Sequence, residues 1–208
     1  MGIRLGNRGD TRRLRRRTAD PATLGEFGPK QAIETSDSNI EPGCLRTPGM
    51  VSVGDTAPDF TAPLADGDIG SFTLTEELSE GPLVLAFFPA SFTSTCTTEM
   101  CTFRDQMANF EDIGAAVYGI SIDTPFTLNE FRQQNELNFA LLSDTNREII
   151  DAYDVSMDFA DLGVYNVAKR AVFVVDEDGS VTYAWVSDDP GAEPDYDEVA
   201  AAAEEASA

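Results

Sequence analysis

From Val51 onward the apolar positions follow two rhythms. Leu83-Val84-Leu85-Ala86-Phe87-Phe88 and the stretch from Ala115 to Ile122 are nearly continuous apolar runs, the pattern of strands covered on both faces. Between them Met100, Phe103, Met107 and Phe110 recur at spacings of three and four, which makes one apolar stripe of a helix. That helix is expected to stop near Gly114. Short strands are predicted over Asp59 to Leu64 and Ser71 to Leu74, joined by a turn at Ala65-Asp66-Gly67-Asp68. Asp123-Thr124-Pro125 opens a second helix with proline in its first turn. A strand over 139–142, a short helix over 146–153, a hairpin of 171–175 and 181–186 around Asp176-Glu177-Asp178-Gly179, and an Ala/Glu-rich helix over 194–208 complete the chain. Strand–helix alternation closed by a hairpin and a last helix describes an α/β domain, and there is no internal repeat.

Residues 1–50 break this order. They carry Gly, Pro, Ser and Arg without apolar periodicity and are read as a disordered extension or as an upstream start-codon error with Met50 the true beginning. The cluster Arg12, Arg13, Arg15, Arg16, Arg17 is not followed by an apolar segment of roughly 7 to 15 residues, so it does not read as an export signal. A functional basic arm is the third alternative. Cys44, in this stretch, is read as an incidental thiol. Residues 51–208 are the expected domain.

Charge sharpens the division. The 208-residue chain has 14 Lys plus Arg against 37 Asp plus Glu, a net charge of −23. Nine of the basic residues fall in 1–50, leaving 5 basic and 31 acidic residues, net −26, for 51–208. Such a surface excludes a nucleic-acid binder, which needs a basic face. It repels itself in dilute buffer but not at about 1 M salt, where the screening length falls to about 3 Å. The composition is read as that of a protein built for a salt-saturated cytoplasm, such as a halophilic archaeon maintains, with an acidic mesophilic protein as the alternative. No apolar run approaches the roughly 18 to 20 residues of a bilayer span, so a soluble, cytoplasmic protein is expected. The chain has no histidine and three cysteines. Without imidazole there is no Ser-His-Asp or Cys-His pair and no His-bearing metal site. Three cysteines are too few for a disulfide scaffold, so any function they have is reactive.

The chemistry sits where the central strand meets the first helix. Pro89-Ala90-Ser91-Phe92-Thr93-Ser94-Thr95-Cys96 places a cysteine in a helix's first turn, beyond the carboxyl end of a buried strand, where open α/β sheets present ligands. Unpaired N–H groups and the helix dipole favour a thiolate there, and a nearby guanidinium is the other activating device left to a chain without histidine. Thr93 can aim its hydroxyl at the same point. A cysteine at a helix start taken alone is more often a small buried hydrophobe; the surrounding Pro, Thr and strand context favours the nucleophile. Cys101 lies five residues on, about 7.5 Å along a helix axis, beyond the roughly 6.8 Å limit for bridged Cα atoms, so a bond to Cys96 would require the first turns to unwind.

Pro89-x-x-x-Thr93-x-x-Cys96 resembles the active-site signature of the peroxiredoxins, thiol peroxidases of the AhpC/TSA superfamily. Phe87-Phe88-Pro89, Phe92-Thr93, Cys96-Thr97, Glu99, Cys101 and Phe103-Arg104-Asp105 are similar to the subgroup of bacterioferritin comigratory proteins and AhpE-type enzymes. The likeness extends to Gly54-Asp55, Ala57-Pro58-Asp59-Phe60, Leu141-Leu142-Ser143-Asp144 and Lys169-Arg170-Ala171-Val172-Phe173. It implies a thioredoxin-like fold with an N-terminal β-hairpin extension. It also implies Cys96 as peroxidatic cysteine, Thr93 as the hydroxyl on the peroxide, Pro89 as the ring closing the pocket and Arg170 as the guanidinium. Cys101 is implied as the resolving thiol, with re-reduction by a thioredoxin-like donor. A one-Cys enzyme served by an external low-molecular-weight thiol, and a non-catalytic interaction domain, are the alternatives. Glu99 is open between a role in the site and a charge partner for the helix N-terminus, and Arg170 has a surface ion pair as its structural alternative. No cofactor, metal, nucleic acid or membrane is expected, and the protein is expected to be a monomer or homodimer. Trp185, Phe92 and Phe126 are candidates for a pocket or dimer face, with core packing the commoner fate.

Overall fold

A computed structural model describes residues 49–207; the extension with Cys44 and the arginine cluster lies outside the described residues. The strands are β1 (Thr61–Asp66), β2 (Asp68–Thr73), β3 (Leu83–Phe87), β4 (Ala116–Ser121), β5 (Ala140–Ser143), β6 (Ser156–Phe159), β7 (Val164–Ala168), β8 (Arg170–Val175) and β9 (Val181–Ser187). The helices are α1 (Leu74–Glu77), α2 (Ser94–Asp112), α3 (Pro125–Gln134), α4 (Glu148–Ala152) and α5 (Tyr196–Ala206). Seven strands form one sheet in the order β2-β1-β5-β4-β3-β8-β9, and β6-β7 form a separate two-stranded sheet.

The apolar run of β3 explains its central place. β3 runs parallel to β4 and antiparallel to β8. Leu83, Leu85 and Phe87 feed one core layer with Phe173, Tyr153 and Ile150. Val84, Ala86 and Phe88 feed the other, against Met100, Phe103 and Phe110 of α2, Phe131 of α3 and Val199 of α5. Alternate side chains thus serve opposite faces, as strand geometry demands. Gly119 of β4 lets α2 seat closely: a Cβ there would lie 2.6 Å from Leu141 and 2.9 Å from the Met100 sulfur. α2 ends at Asp112, two residues before Gly114, whose φ of 73° lets the chain reverse.

Two expectations need correction. The turn predicted over 65–68 is tighter: Ala65 and Asp66 belong to β1, Asp68 pairs with Asp66, and Gly67 alone turns the chain. Its tip is clamped by Asn129 of α3, whose side chain exchanges two 3.0 Å hydrogen bonds with the Gly67 backbone. Between the short helix and β8, where no element was expected, the β6–β7 hairpin stands apart from the main sheet. The N-terminal hairpin β1–β2 is present and joins the main sheet through an antiparallel β1–β5 pairing.

Candidate active site

β3 delivers the chain to Pro89 at the end of the sheet. The following loop is tied down: the Ser91 N–H donates to Asp123 Oδ2 at 2.7 Å, and the Ser121 hydroxyl donates to the same oxygen at 3.0 Å. Phe92 holds a left-handed φ of 62°. Thr93 is the extended N-cap of α2, and its carbonyl accepts the Thr97 N–H at 2.9 Å. Cys96 is therefore the third helical residue, among N–H groups without intrahelical acceptors and at the positive end of the dipole.

The Thr93 hydroxyl donates to the Ala90 carbonyl at 3.1 Å. Its proton is committed, so what it offers a ligand is a lone pair that can accept an O–H.

Arg170 opens β8, whose Ala171 lies opposite Phe87. Its side chain is 1% exposed, so it is no surface ion pair. Nη2 stands 3.4 Å from Cys96 Sγ, and Nη1 pairs with Glu99 Oε2. Nε and Nη2 donate to the Pro190 carbonyl at 3.1 and 2.8 Å. These contacts fix the plane of the fork. Burial opposes the guanidinium charge, but attraction to Glu99 and Cys96 more than offsets it and raises Arg170 above its ordinary value.

Glu99, three residues after Cys96 and so on the same helix face, is 0% exposed. Its Oε1 has no hydrogen-bond partner. Burial pushes its carboxyl up from 4.5 to about 8 against the pull of Arg170, with Glu193 adding to the rise. Glu99 thus serves the guanidinium rather than the helix terminus.

Pro89, Thr93, Cys96, Phe159, Arg170 and Pro190 line a hollow of about 240 Å³. It brings Cys96, Thr93, Pro89 and Arg170 together, with Glu99 behind the arginine. Cys101 stays apart on the unbroken α2; its thiol is free and half-buried against the core. Trp185 packs against the core. Phe92 is half exposed, with its ring edge-on to Phe131, and Phe126 is exposed. None of these three lines the Cys96 hollow. A larger hollow of about 570 Å³ beside α3 includes Arg132, but that guanidinium is engaged by Asp66 and the Phe139 carbonyl. Among the described residues no group of three or more His, Cys, Asp or Glu side chains converges as a metal site, and no helix is long and apolar enough to cross a membrane.

Sequence reasoning missed Phe159, Pro190 and Asp123. Pro190 acts through its carbonyl, which every residue has, and Phe159 through its place on an unrecognised strand. In the sequence Asp123 reads only as a helix opener; the Ser121-x-Asp123 spacing, a hydroxyl two residues before a carboxylate at a strand end, is the signal that marks it.

The AhpC/TSA family model matches residues 53–184. Peroxiredoxin Bcp of Escherichia coli K12 is 33% identical over 136 residues, 65% of this chain and 85% of its own length. The chloroplastic 2-cysteine peroxiredoxin of Chattonella marina var. antiqua is 33% identical over 145 residues, 66% of this chain and 71% of its own. Among solved structures, peroxidoxin BcpB of Mycobacterium tuberculosis superposes with a TM-score of 0.65 at 32% identity, covering 74% of this chain and 97% of that one.

Proposed function

The chain belongs to the AhpC/TSA family, and from that membership we infer that it is a thiol-dependent peroxidase working through Cys96. One observation carries the assignment to this sulfur: a fully buried arginine reaches Cys96 Sγ at 3.4 Å, at a helix N-terminus that opens on a hollow.

The Cys96 thiolate attacks the terminal oxygen of a hydroperoxide ROOH. An S–O bond forms, the O–O bond breaks, and the electron pair leaves on the second oxygen, which takes a proton and departs as ROH. Cys96 is oxidised to the sulfenic acid. Thr93 accepts the peroxide O–H and so holds the attacked oxygen near the sulfur. Arg170 faces the sulfur and the developing negative charge; first-turn N–H groups add to it. Pro89 closes one wall. Cys101 then attacks the sulfenic acid, water leaves, and the disulfide is reduced by an external thioredoxin-like dithiol in a reducing cytoplasm. Because α2 is continuous through both cysteines, resolution requires its first turns to open. Thr98 and Thr102 each donate a hydroxyl to the carbonyl four residues back, at 3.0 and 2.9 Å, a bond that weakens a helix.

The continuous helix also favours a second reading, in which Cys101 is structural and a low-molecular-weight thiol reduces Cys96 directly.

The test uses reduced protein in molar KCl, supplied with hydrogen peroxide or tert-butyl hydroperoxide, with and without a thioredoxin system. Peroxide consumption that vanishes in Cys96→Ser is the expected result. Undiminished consumption in that variant overturns the assignment.

A further inference from the structure

Resting on the peroxidase reading, we propose that Phe159, at the turn end of the β6–β7 hairpin, is a specificity-determining residue that seats the apolar tail of an uncharged organic hydroperoxide. The hollow around Cys96 holds about 240 Å³, several times the roughly 30 Å³ that one water occupies in the liquid. Hydrogen peroxide, with two oxygens, leaves most of it unfilled. Its lining is mixed: Thr93, Cys96 and Arg170 supply polar groups, and Pro89 and Phe159 supply carbon surface.

Phe159 is placed there by a local device. The β6–β7 pairing shifts register between Met157 and Phe159, and the Asn166 N–H is drawn to Asp158 Oδ1 at 2.9 Å. Bulges of this kind re-aim side chains beside active sites. The wall does not stop at Phe159. Val164, its cross-strand partner, shares its face and is exposed. Leu162, in the turn between them, is 77% exposed. Exposed apolar side chains thus stand next to Phe159 at the turn of the hairpin. The carbon surface of Pro89 and Phe159 offers a charged tail no partner, which leaves an uncharged tail as the occupant.

The test measures rate constants for oxidation of pre-reduced protein by hydrogen peroxide and by cumene hydroperoxide. Truncating an apolar contact in a binding pocket costs roughly tenfold or more. Phe159→Ala is therefore expected to slow cumene hydroperoxide by roughly tenfold while leaving hydrogen peroxide within about threefold, and Phe159→Leu to recover most of the loss. The exposed Val164→Ser, which spares the core, is expected to lower the cumene-to-hydrogen-peroxide ratio by about threefold and covers the case in which Phe159→Ala does not fold. Equal losses for both peroxides, or none, overturn the proposal. So does an effect confined to reduction by a thioredoxin-type protein, which would make the hairpin a protein-docking face. Wild-type protein inert to both peroxides would instead overturn the peroxidase reading.

Discussion

Cys96 and Cys101 occupy one helix five residues apart, yet they live in different chemical worlds. Cys96 is 2% exposed and borders a buried cation with its counter-carboxyl. Cys101 sits two turns into regular helix, half-buried against apolar side chains, with the Arg104 guanidinium one turn on as a charged neighbour. Arg104 is itself engaged by Asp105 and the Asn135 carbonyl. Residue type is the same, so the difference in expected reactivity comes from the strand pairing that brings Arg170 beside the helix start. A thiol becomes a nucleophile here through its neighbours.

Removing the cation strikes this contrast hardest. Arg170→Met, which keeps the bulk and loses the charge, should lower the rate of Cys96 oxidation by roughly 10²–10³, the effect of deleting one preorganised donor at a developing anion. Stopped-flow oxidation of the reduced variant checks it; a loss below about threefold would mean that the helix terminus suffices. Cys101→Ser comes next. The first oxidation should stay within about twofold, while mass spectrometry after one equivalent of peroxide should show sulfenic acid persisting at Cys96. A disulfide-free wild type treated in the same way, with Cys101 still free, would favour the one-Cys reading.

The smallest effect is on stability. The folded Glu99 carboxyl titrates near 8, above its ordinary 4.5, so between those values the native state holds more protons than the unfolded chain. Its contribution to stability therefore falls as pH rises from about 4.5 to about 8 and changes no further above that. Glu99→Gln cannot ionise. Its melting temperature relative to wild type should rise across that window; a constant difference would show that Glu99 is already ionised at the low end.

What the sequence disclosed follows from range. The strand–helix core around Cys96 is legible because β3, α2 and β4 write their burial into local periodicity. Pro89, Thr93 and Cys96 declare themselves by spacing within eight residues. Arg170 is 74 residues from Cys96, and only the resemblance singled it out. Asn129, which tightens the Gly67 turn from 62 residues away, left no local mark. The hairpin was hidden for another reason: β6 has four residues, a register shift and mostly half-buried positions, too little alternation to register as a strand. The parts of the site that supply charge were readable as residue types, whereas the parts that supply shape, Phe159 and Pro190, act through placement alone.

The hairpin's separateness has an evolutionary and a practical meaning. Since among the described residues β6 and β7 pair only with each other, their turn can be exchanged without disturbing the ladder that aligns β8 with β3. Nature, or a designer transplanting loops among relatives, can retune what enters the hollow while inheriting the reactive centre intact.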